Sequence, residues 1–519
     1  MSKEIKRVVV VGGGSAGWLT AGIIAAEFSP RKENRIQVIL IESPDVPTIG
    51  VGEGTWPTMR TTLQQIGLSE TDFFRSCNAS FKQGSKFVGW RDGGGNDAYY
   101  HPFTLPAGYG DVNVHAVWRS TFPDKEFSEA MCLQTIICEK GLGPKQHTMP
   151  EFAGALNYGY HLDAAKFVEL LKGHCTRKLG VEHILDNVIN INSAPNGDIS
   201  SLTTQSSGSL AGDIFIDCTG SASLLLGQHF KIPFLEQSKY SINDRAIAAQ
   251  IPYGDESHPI ASATISTAQS AGWVWDIALS NRRGTGYVYS SAHISDEAAE
   301  LEFRKYLALS IGHKAAESLP ARQLTFNAGY RQKFWQKNCV AVGMSAGFIE
   351  PLEASALALV ELGANMIRDE LSVSHAEIDI IAKRFNSVFT YRWEKIIEFL
   401  KLHYVLTKRT DSDYWKDVVH PDSIPDKLKE LLAIWKYRSP NHNDFLHAEE
   451  VFPSASYQYI LYGMGFETNT LGNERASDNI QAGIYTAKQA MNNAAKYIAH
   501  LQPNRELLSN IYSFGMQKI

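Results

Sequence analysis

Three glycines near the amino terminus have the spacing of a phosphate-binding loop. Gly12, Gly14 and Gly17 form a GxGxxG pattern, with Ser15 and Ala16 between the last two. In such a loop the first glycine permits a tight turn, the second lets the backbone approach a pyrophosphate, and the third allows a helix to pack closely. The phosphate then contacts N–H groups at the positive end of the helix dipole. The chemistry that this spacing predicts is the binding of a dinucleotide.

The elements on either side of this loop fit that chemistry. Residues 8–11 are a continuous run of valines, which is typical of a strand buried on both faces. Residues 18–28 have helical spacing of apolar side chains, and residues 36–41 predict a second buried strand. Glu42 ends that strand, where a carboxylate can accept hydrogen bonds from ribose hydroxyls. This order of elements favours a dinucleotide site over a merely tight loop.

Two later segments indicate that the dinucleotide is FAD. Residues 213–220 predict a strand that ends in small residues at Gly220, and residues 338–343 predict a strand that enters Gly343. FAD enzymes of the two-dinucleotide-binding and hydroxylase type use such distant segments to complete the flavin pocket, whereas short NAD modules do not need them. The chain has no second GxGxxG pattern for a nicotinamide, although some hydroxylases bind NAD(P)H without one. We therefore expect reduced flavin to come from a separate protein.

Composition and charge restrict the class of protein. The chain has 519 residues, of which 44% are hydrophobic, and a chain of this length favours two or three packed modules. Its net charge of -6 argues against a nucleic-acid partner. The six cysteines form no CxxC pair and no metal-ligand spacing, and no apolar run is long enough to span a membrane. We expect a cytoplasmic protein with no metal site.

The sequence predicts an α/β protein with a FAD-binding, Rossmann-like module of the two-dinucleotide-binding or hydroxylase type, a substrate region and a helical C-terminal part. Turn residues at 196–198 predict a hairpin, and helices are expected at 376–400, 428–435 and 480–501. The predicted regions are the first part of the FAD module (1–95), a loop-rich substrate-site region (96–155), the second part of the FAD module (156–230), a substrate sheet region (231–325), a further FAD-binding segment (326–375) and the helical C-terminal region (376–519).

Distinctive motifs occur in order along most of the chain. They are GGGSAGW (12–18), IGVGEGTWP (49–57), SFKQGSKFVGW (80–90), GWVWDIAL (272–279) and GFIEPLEASAL (347–357). Together they resemble the motifs of the flavin-dependent tryptophan halogenase family. The second is similar to the family's flavin strap and adds Gly52 and Glu53 to the expected flavin-binding residues.

The resemblance implies a reaction and two catalytic residues. Reduced flavin, oxygen and a halide would give hypohalous acid, which must be carried to an electron-rich aromatic ring. The family's essential lysine falls on Lys82, which would hydrogen-bond hypohalous acid, or take the halogen as an N-haloamine if burial lowers its pKa. Glu353 would orient the oxidant or accept the proton lost from the ring. Lys86 and Glu350 are the competing assignments from position alone.

The resemblance also implies a halide site and a tryptophan motif. Backbone N–H groups after the glutamate would bind chloride or bromide at Ser355 and Ala356, although the glycine of the family's Ser-Thr-Gly context is missing and the local dihedrals are expected to change. Trp273, Trp275 and Ile277 match the family's WxWxIP signature, with Ala278 in place of proline. On a strand both indoles would face one side, either as core aromatics or along a route near the flavin.

Substrate recognition follows the family only in part. His101 and Phe103 match a His-x-Phe pair that borders the indole in tryptophan halogenases. The C-terminal segment that clamps the ammonium and carboxylate of the amino acid is not recognisable around residues 456–465. The sequence therefore predicts a small aromatic substrate of the indole type, with free tryptophan a poorer one.

The expected partners are a separate flavin reductase, met transiently, and a second copy of the chain in a homodimer. Two alternatives stay open at this point. A FAD-dependent aromatic hydroxylase would share the flavin module but needs no lysine at position 82. An inactive flavin-binding protein is favoured by the substitutions at Ala278 and at residues 354–356.

Overall fold

The computed structural model describes residues 4–28, 36–46, 52–371, 374–447, 449–469 and 480–518. The strands are β1 Arg7–Val11, β2 Gln37–Glu42, β3 Gly52–Gly54, β4 Ser80–Lys82, β5 Gly84–Val88, β6 Ala98–Pro102, β7 Gly159–Asp163, β8 Glu182–Leu185, β9 Val188–Ser193, β10 Ile199–Thr204, β11 Ser209–Ala211, β12 Ile214–Asp217, β13 Phe234–Glu236, β14 Arg245–Pro252, β15 Thr264–Ala268, β16 Gly272–Ala278, β17 Arg282–Tyr289, β18 Ala321–Thr325, β19 Gly329–Arg331, β20 Trp335–Gln336, β21 Cys339–Ala341 and β22 Gly347–Phe348.

The α-helices are α1 Ser15–Phe28, α2 Thr58–Gln65, α3 Glu70–Cys77, α4 Val114–Thr121, α5 Phe127–Met131, α6 Leu133–Glu139, α7 Ala164–His174, α8 Asp296–Ile311, α9 His313–Ser318, α10 Ser355–Glu370, α11 Ile378–Val405, α12 Asp413–Asp417, α13 Asp426–Trp435, α14 Ser454–Gly463, α15 Ile480–His500 and α16 Asn504–Phe514. The predicted mixed α/β architecture with a helical C-terminal part is confirmed. None of the described helices is both long enough and apolar enough to cross a membrane.

The chain divides into two units. The first unit comprises residues 1–79, 162–237 and 327–393, and the second comprises residues 80–161, 238–326 and 394–519. Each unit is therefore built from segments that lie far apart in the sequence.

A mostly parallel sheet forms the centre of the first unit. Its strand order is β20-β21-β12-β1-β2-β8, and only β20 is antiparallel to its neighbour. Val8 pairs with Val38 of β2 and with Ile214 of β12, so β1 lies in the middle of the sheet. A strand in this position is covered on both faces, which explains its unbroken run of valines. The strand-loop-helix-strand order predicted for residues 8–42 is confirmed.

A smaller sheet in the first unit contains the predicted hairpin. β9 and β10 pair antiparallel, and Gly197 in the turn between them has a φ of 86°. That left-handed conformation suits glycine, so the turn signal in the sequence was sufficient to find the hairpin.

The second unit is organised around a seven-stranded sheet with the order β18-β14-β17-β16-β15-β5-β6. All neighbours in it are antiparallel except β15 and β5. One face of the sheet packs on α8, where Val274 of β16 joins a cluster with Phe303 and Leu307. The side chains of β16 and β6 therefore extend from a sheet that is packed against a helix.

Residues 96–155 contain more regular structure than the sequence indicated. Between the loops expected there, they form β6 and the three short helices α4, α5 and α6. Each of these helices spans at most eight residues. An apolar pattern needs more turns than that to become visible as a helical period, which is why the periodicity looked weak.

Candidate active site

The glycine loop joins β1 to α1, and its three spaced glycines have different roles. Gly12 has a φ of 117°, and a Cβ atom there would lie 2.2 Å from the carbonyl oxygen of Cys218. A Cβ atom on Gly17 would lie 1.8 Å from the carbonyl oxygen of Gly12, so only glycine lets α1 come this close. A Cβ atom on Gly14, by contrast, would meet no atom within 4 Å. Gly14 borders open space at the start of α1, which fits the pyrophosphate of FAD.

The other expected flavin-binding residues of the first unit lie at the same end of the sheet. Ser15 and Ala16 form the first turn of α1, where N–H groups have no carbonyl partner within the helix. Gly343 follows β21 with a φ of 75°, and a Cβ atom on it would lie 2.7 Å from the Cβ atom of Ala16. Gly220 follows β12 with a φ of 66°, and the turns that contain Gly220 and Gly343 contact each other.

Glu42 lies at the end of β2, directly beside the loop. A Cβ atom on Gly13 would overlap its carboxylate. The Oε1 atom of Glu42 accepts a hydrogen bond from Lys172 Nζ at 2.5 Å and lies 2.8 Å from His183 Nε2. Burial, followed by the charge of Lys172, lowers the pKa of His183, so its ring is neutral near neutral pH. Glu42 thus occupies the position expected of a ribose-binding carboxylate, and two basic side chains orient it.

The strap motif leads into α2. Its first three residues, at 49–51, lie outside the described residues, whereas Gly52 and Glu53 belong to β3. Trp56 follows and is half-buried. Its Nε1 donates a hydrogen bond of 2.8 Å to the carbonyl oxygen of Glu353.

The segment predicted to bind the halide has an unusual backbone. Glu353 and Ala354 have φ values of 65° and 54°, both in the left-handed region that non-glycine residues rarely adopt. Ser355 then begins α10, and Ala356 lies in its first turn. No side chain caps this helix. The backbone at Ala356 is helical, and the left-handed residues directly precede Ser355; the expected change in the local dihedrals stays a prediction.

A buried carboxylate fastens α2 to α10. Glu361 is 2% exposed; Thr62 donates to its Oε1 atom, and Thr58 donates to its Oε2 atom at 3.0 Å. Burial raises the pKa of Glu361 to about 7, against the opposing effect of the two hydroxyl donors. The burial of Glu361 could not be predicted from the sequence, because nothing in the neighbouring residues distinguishes it from an ordinary surface glutamate.

Lys82 is the last residue of β4 in the second unit and is 1% exposed. Its Nζ atom lies 5.5 Å from the centroid of the Phe103 ring. His161, on the neighbouring strand β7, is also fully buried, and its Nε2 lies 2.8 Å from Thr264 Oγ1. Burial, and then the charge of Lys82, lowers the pKa of His161 well below its usual range, so the lysine has a neutral imidazole nearby.

Lys86, the competing lysine, has a different environment. It forms an ion pair with Glu139 at 2.6 Å, and its side chain is 24% exposed. A half-exposed lysine in an ion pair is a common surface feature.

His101 and Phe103 lie at the end of β6, close to α14. The Nε2 atom of His101 is 2.9 Å from Ser456 Oγ, and its ring centroid is 6.1 Å from that of Tyr459. Every residue of α14 is buried, and the helix has no carboxylate, lysine or arginine. Tyr459 of this helix donates to the carbonyl oxygen of Thr104 at 2.8 Å, whereas the buried Oε1 of Gln458 has no hydrogen-bond partner among the described residues.

The tryptophan motif forms β16. Trp273 and Trp275 lie on one face of the strand, opposite Val274, with their ring centroids 6.4 Å apart. Trp273 is 6.1 Å from Trp90, and Trp275 covers Gly286, where a Cβ atom would lie 2.2 Å from the indole. The prediction that both indoles share one face is confirmed.

The end of the same strand contacts the strand that carries the lysine. Ile277 is buried, and the carbonyl oxygen of Ala278 accepts a hydrogen bond from the hydroxyl of Ser80, at the start of β4. The residue that replaces the family's proline therefore takes part in holding β4.

Sequence reasoning missed Trp56, Glu361, His161, Ser80 and Ser456. All of them act through partners that are far away in the chain. Trp56 and Ser80 carried a signal, since they lie inside the motifs at 49–57 and 80–90.

Comparison with known proteins identifies the family. A family model described as tryptophan halogenase matches residues 7–476. The chain is 32% identical to tryptophan 6-halogenase SttH of Streptomyces toxytricini, over 88% of this chain and 89% of that protein. It is 29% identical to tryptophan 7-halogenase RebH of Lentzea aerocolonigenes, over 90% of each protein.

Solved structures agree. A tryptophan halogenase from Shewanella frigidimarina is 46% identical, with a TM-score of 0.96 over 100% of this chain and 99% of that one. BrvH, a flavin-dependent halogenase from a Brevundimonas species, is 28% identical, with a TM-score of 0.84 over 98% of this chain and 99% of that one. These comparisons give no support to the alternatives of an aromatic hydroxylase or an inactive flavin protein. The chain belongs to the tryptophan halogenase family and is a flavin-dependent halogenase, an oxidoreductase-type enzyme that uses FADH2 and a halide to modify a small aromatic substrate.

Proposed function

We propose that this enzyme halogenates a small, uncharged aromatic ring of the indole type, and that Lys82 delivers the halogen. The observation that carries the proposal is the burial of Lys82 beside the ring of Phe103. A buried ammonium group has few competing water molecules, so its N–H groups can bind and aim hypohalous acid. Its location next to the His101–Phe103 pair favours it over Lys86, which is paired with Glu139.

We assign the first unit the binding of FAD and halide. Gly12, Gly14 and Gly17, with the first turn of α1, would hold the pyrophosphate, and Glu42 would bind a ribose. Residues 52–53, Gly220 and Gly343 complete the proposed set. Reduced flavin, when bound, would activate O2, and the oxygen would supply the oxidising equivalents that convert the halide to hypohalous acid. We place the halide at the N–H groups of Ser355 and Ala356, which begin the uncapped helix α10 and lie at its positive end.

The remaining steps are performed by side chains. The Lys82 ammonium would donate a proton to the oxygen of hypohalous acid, so that this oxygen leaves as water when the halogen bonds to the ring carbon. Lys82 would then regain a proton from solvent. The ring carbon must then lose its proton, and the Glu353 carboxylate would accept it. His101 and Phe103 would hold the flat substrate. The burial of Trp273 and Trp275 supports a role in holding the sheet that carries these groups.

The chemistry of α14 supports an uncharged substrate. This helix is buried and carries no charged side chain, and Gln458 Nε2, Tyr459 and Tyr462 each donate a hydrogen bond to a protein oxygen. An ammonium or carboxylate placed against it without a partner would cost several kcal/mol. Indole has neither group, so we expect it to bind better than free tryptophan.

We further propose that a separate reductase supplies FADH2, that the enzyme is a homodimer, and that it works in the cytoplasm. The single dinucleotide loop supports the first of these, and six unpaired cysteines are consistent with a reducing compartment. The isolated chain should not oxidise NADPH until a reductase is added, and light scattering should give twice the chain mass.

A competition assay tests the proposed substrate. The enzyme, a flavin reductase and equal concentrations of indole and tryptophan are incubated in chloride or in bromide, and products are identified by mass spectrometry. We expect halogenated indole to dominate and bromide to serve at least as well as chloride, because bromide is easier to oxidise. A clear preference for tryptophan with chloride contradicts the proposal. A hydroxylated product without halogen would revive the hydroxylase alternative.

A further inference from the structure

We propose that Trp56 is a positioning residue for the halide-binding turn. Its indole N–H holds the carbonyl of Glu353 and thereby maintains the left-handed backbone from which the N–H groups of Ser355 and Ala356 extend. The inference rests on the proposed halide site and deepens it. Trp56 itself need not touch the halide or the substrate.

The backbone of this turn requires support. Two successive non-glycine residues, Glu353 and Ala354, have positive φ values. Such residues are strained, and they persist only where surrounding contacts determine their conformation. Ala354 has no polar side-chain atom that could stabilise its own left-handed backbone, so that support must come from other residues.

The peptide group between these two residues is held at both ends. Trp56 Nε1 donates to the carbonyl oxygen of Glu353 at 2.8 Å, and the Ala354 N–H donates to the carbonyl oxygen of Pro351 at 3.0 Å. Because a peptide group is planar, fixing its oxygen and its N–H fixes its orientation. The direction of the next N–H groups, at Ser355 and Ala356, follows from that orientation.

A second attachment keeps Trp56 in place. Trp56 lies two residues before α2, and Thr58 and Thr62 of α2 both donate hydrogen bonds to the buried carboxylate of Glu361 on α10. The indole and the turn are therefore carried by two helices that are fastened to each other.

The test is Trp56→Phe, which keeps an aromatic ring and removes the N–H donor. Two readouts are needed: the bromide dependence of halogenation, and bromide binding to FAD-loaded enzyme by isothermal titration calorimetry. We expect the half-saturating bromide concentration and the dissociation constant both to rise about fivefold to tenfold, the effect of losing one hydrogen bond. The rate at saturating bromide and the affinity for FAD should change less than about twofold, which is well below the effect of losing one hydrogen bond on a binding constant.

The matched control is Trp335→Phe. Trp335 belongs to the same unit, is buried, and donates its Nε1 to the carbonyl oxygen of Lys337 at 2.9 Å. Lys337 is also left-handed, with a φ of 56°. The same kind of contact is thus lost outside the halide segment, and bromide affinity should stay unchanged.

A rescue variant separates positioning from general damage. Glycine adopts positive φ without steric penalty, so Ala354→Gly in the Trp56→Phe background should recover most of the lost bromide affinity. If Trp56→Phe does not fold, benzothienylalanine at position 56, which replaces only the N–H by sulfur, gives the same test.

The outcomes distinguish this inference from the proposed function. An unchanged bromide affinity in Trp56→Phe, an equal loss in Trp335→Phe, or no rescue by Ala354→Gly overturns the role of Trp56 while the halogenase assignment stands. If the wild-type enzyme makes halogenated product but its bromide dependence never saturates, the proposed halide site itself is wrong.

Discussion

The Nε2 atom of His101 lies 2.9 Å from the Oγ atom of Ser456, and both side chains are buried. This contact joins β6 to α14 and restrains the rotation of the imidazole. A ring that must border a flat aromatic substrate needs such a partner, because an unrestrained imidazole can rotate away.

We expect Ser456→Ala to raise the KM for indole about fivefold with little change in kcat. Loss of the hydroxyl leaves His101 without this partner and costs about 1 kcal/mol of stability. Steady-state kinetics and thermal unfolding measure the two effects. Ser454→Ala is the control: Ser454 lies on the same buried helix and bonds Tyr109 at 2.6 Å, so its loss should lower stability without changing KM. Equal KM effects in both variants would mean that His101 has no special dependence on Ser456.

We expect Lys82→Ala to abolish halogenation while flavin affinity and flavin oxidation persist. The lysine is proposed to act after the oxidant has formed, so the two activities should separate. Lys82→Met, which preserves more of the buried volume, should behave in the same way. Lys86→Ala should retain activity because its partner is the half-exposed Glu139. If both Lys82 variants halogenate at nearly the wild-type rate, Lys82 has no role in the reaction.

The glycine loop gives a prediction that separates binding from folding. Gly14→Ala should weaken FAD binding at least tenfold with little effect on the melting temperature, because its Cβ atom meets no protein atom and extends toward the proposed pyrophosphate position. Gly12→Ala should instead lower the melting temperature, since its Cβ atom would collide with the Cys218 carbonyl. Flavin fluorescence titration measures the affinity for FAD, and calorimetry measures the melting temperature. A Gly14→Ala enzyme with normal FAD affinity would contradict the assigned position.

Glu361 should make stability depend on pH. Its pKa is raised from 4.5 to about 7 by burial, so the folded state holds this proton more tightly than the unfolded state does. The stabilising contribution is fully present below about pH 4.5 and is lost as the pH rises through 7. Glu361→Gln should remove this dependence, so that the variant gains on the order of 2 kcal/mol relative to wild type between pH 5 and pH 8. Denaturant unfolding at several pH values measures the free energy of unfolding of both proteins. Glu370→Gln, at the far end of α10, is the control. If the free energies of the wild type and of Glu361→Gln change with pH in parallel, Glu361 is not the cause of the pH dependence.

The glycine loop between β1 and α1 could be predicted from the sequence because its signals are local. The run of valines at 8–11, the glycine spacing and Glu42 each depend only on neighbouring residues, and the structure has all three where they were expected. The hairpin turn at Gly197 was found for the same reason.

The supports of the candidate site could not be predicted in this way. Trp56 and Glu353 are separated by 297 residues, and His101 and Ser456 by 355. A tryptophan, a serine or a buried glutamate has no sequence feature that names such a distant partner. The short helices α4 to α6 were missed for another reason, since none of them is long enough to show a helical period.

The interleaving of the two units has a consequence for biosynthesis. β12 pairs on one edge with β21, which lies more than a hundred residues further along the chain. During translation at about 5–20 residues per second, that edge stays unpaired for roughly 6 to 25 s after β12 has formed. An exposed parallel strand edge is a template for pairing with other chains. We therefore expect growth at low temperature, which lowers the number of incomplete chains present at one time, to raise the soluble fraction of the protein.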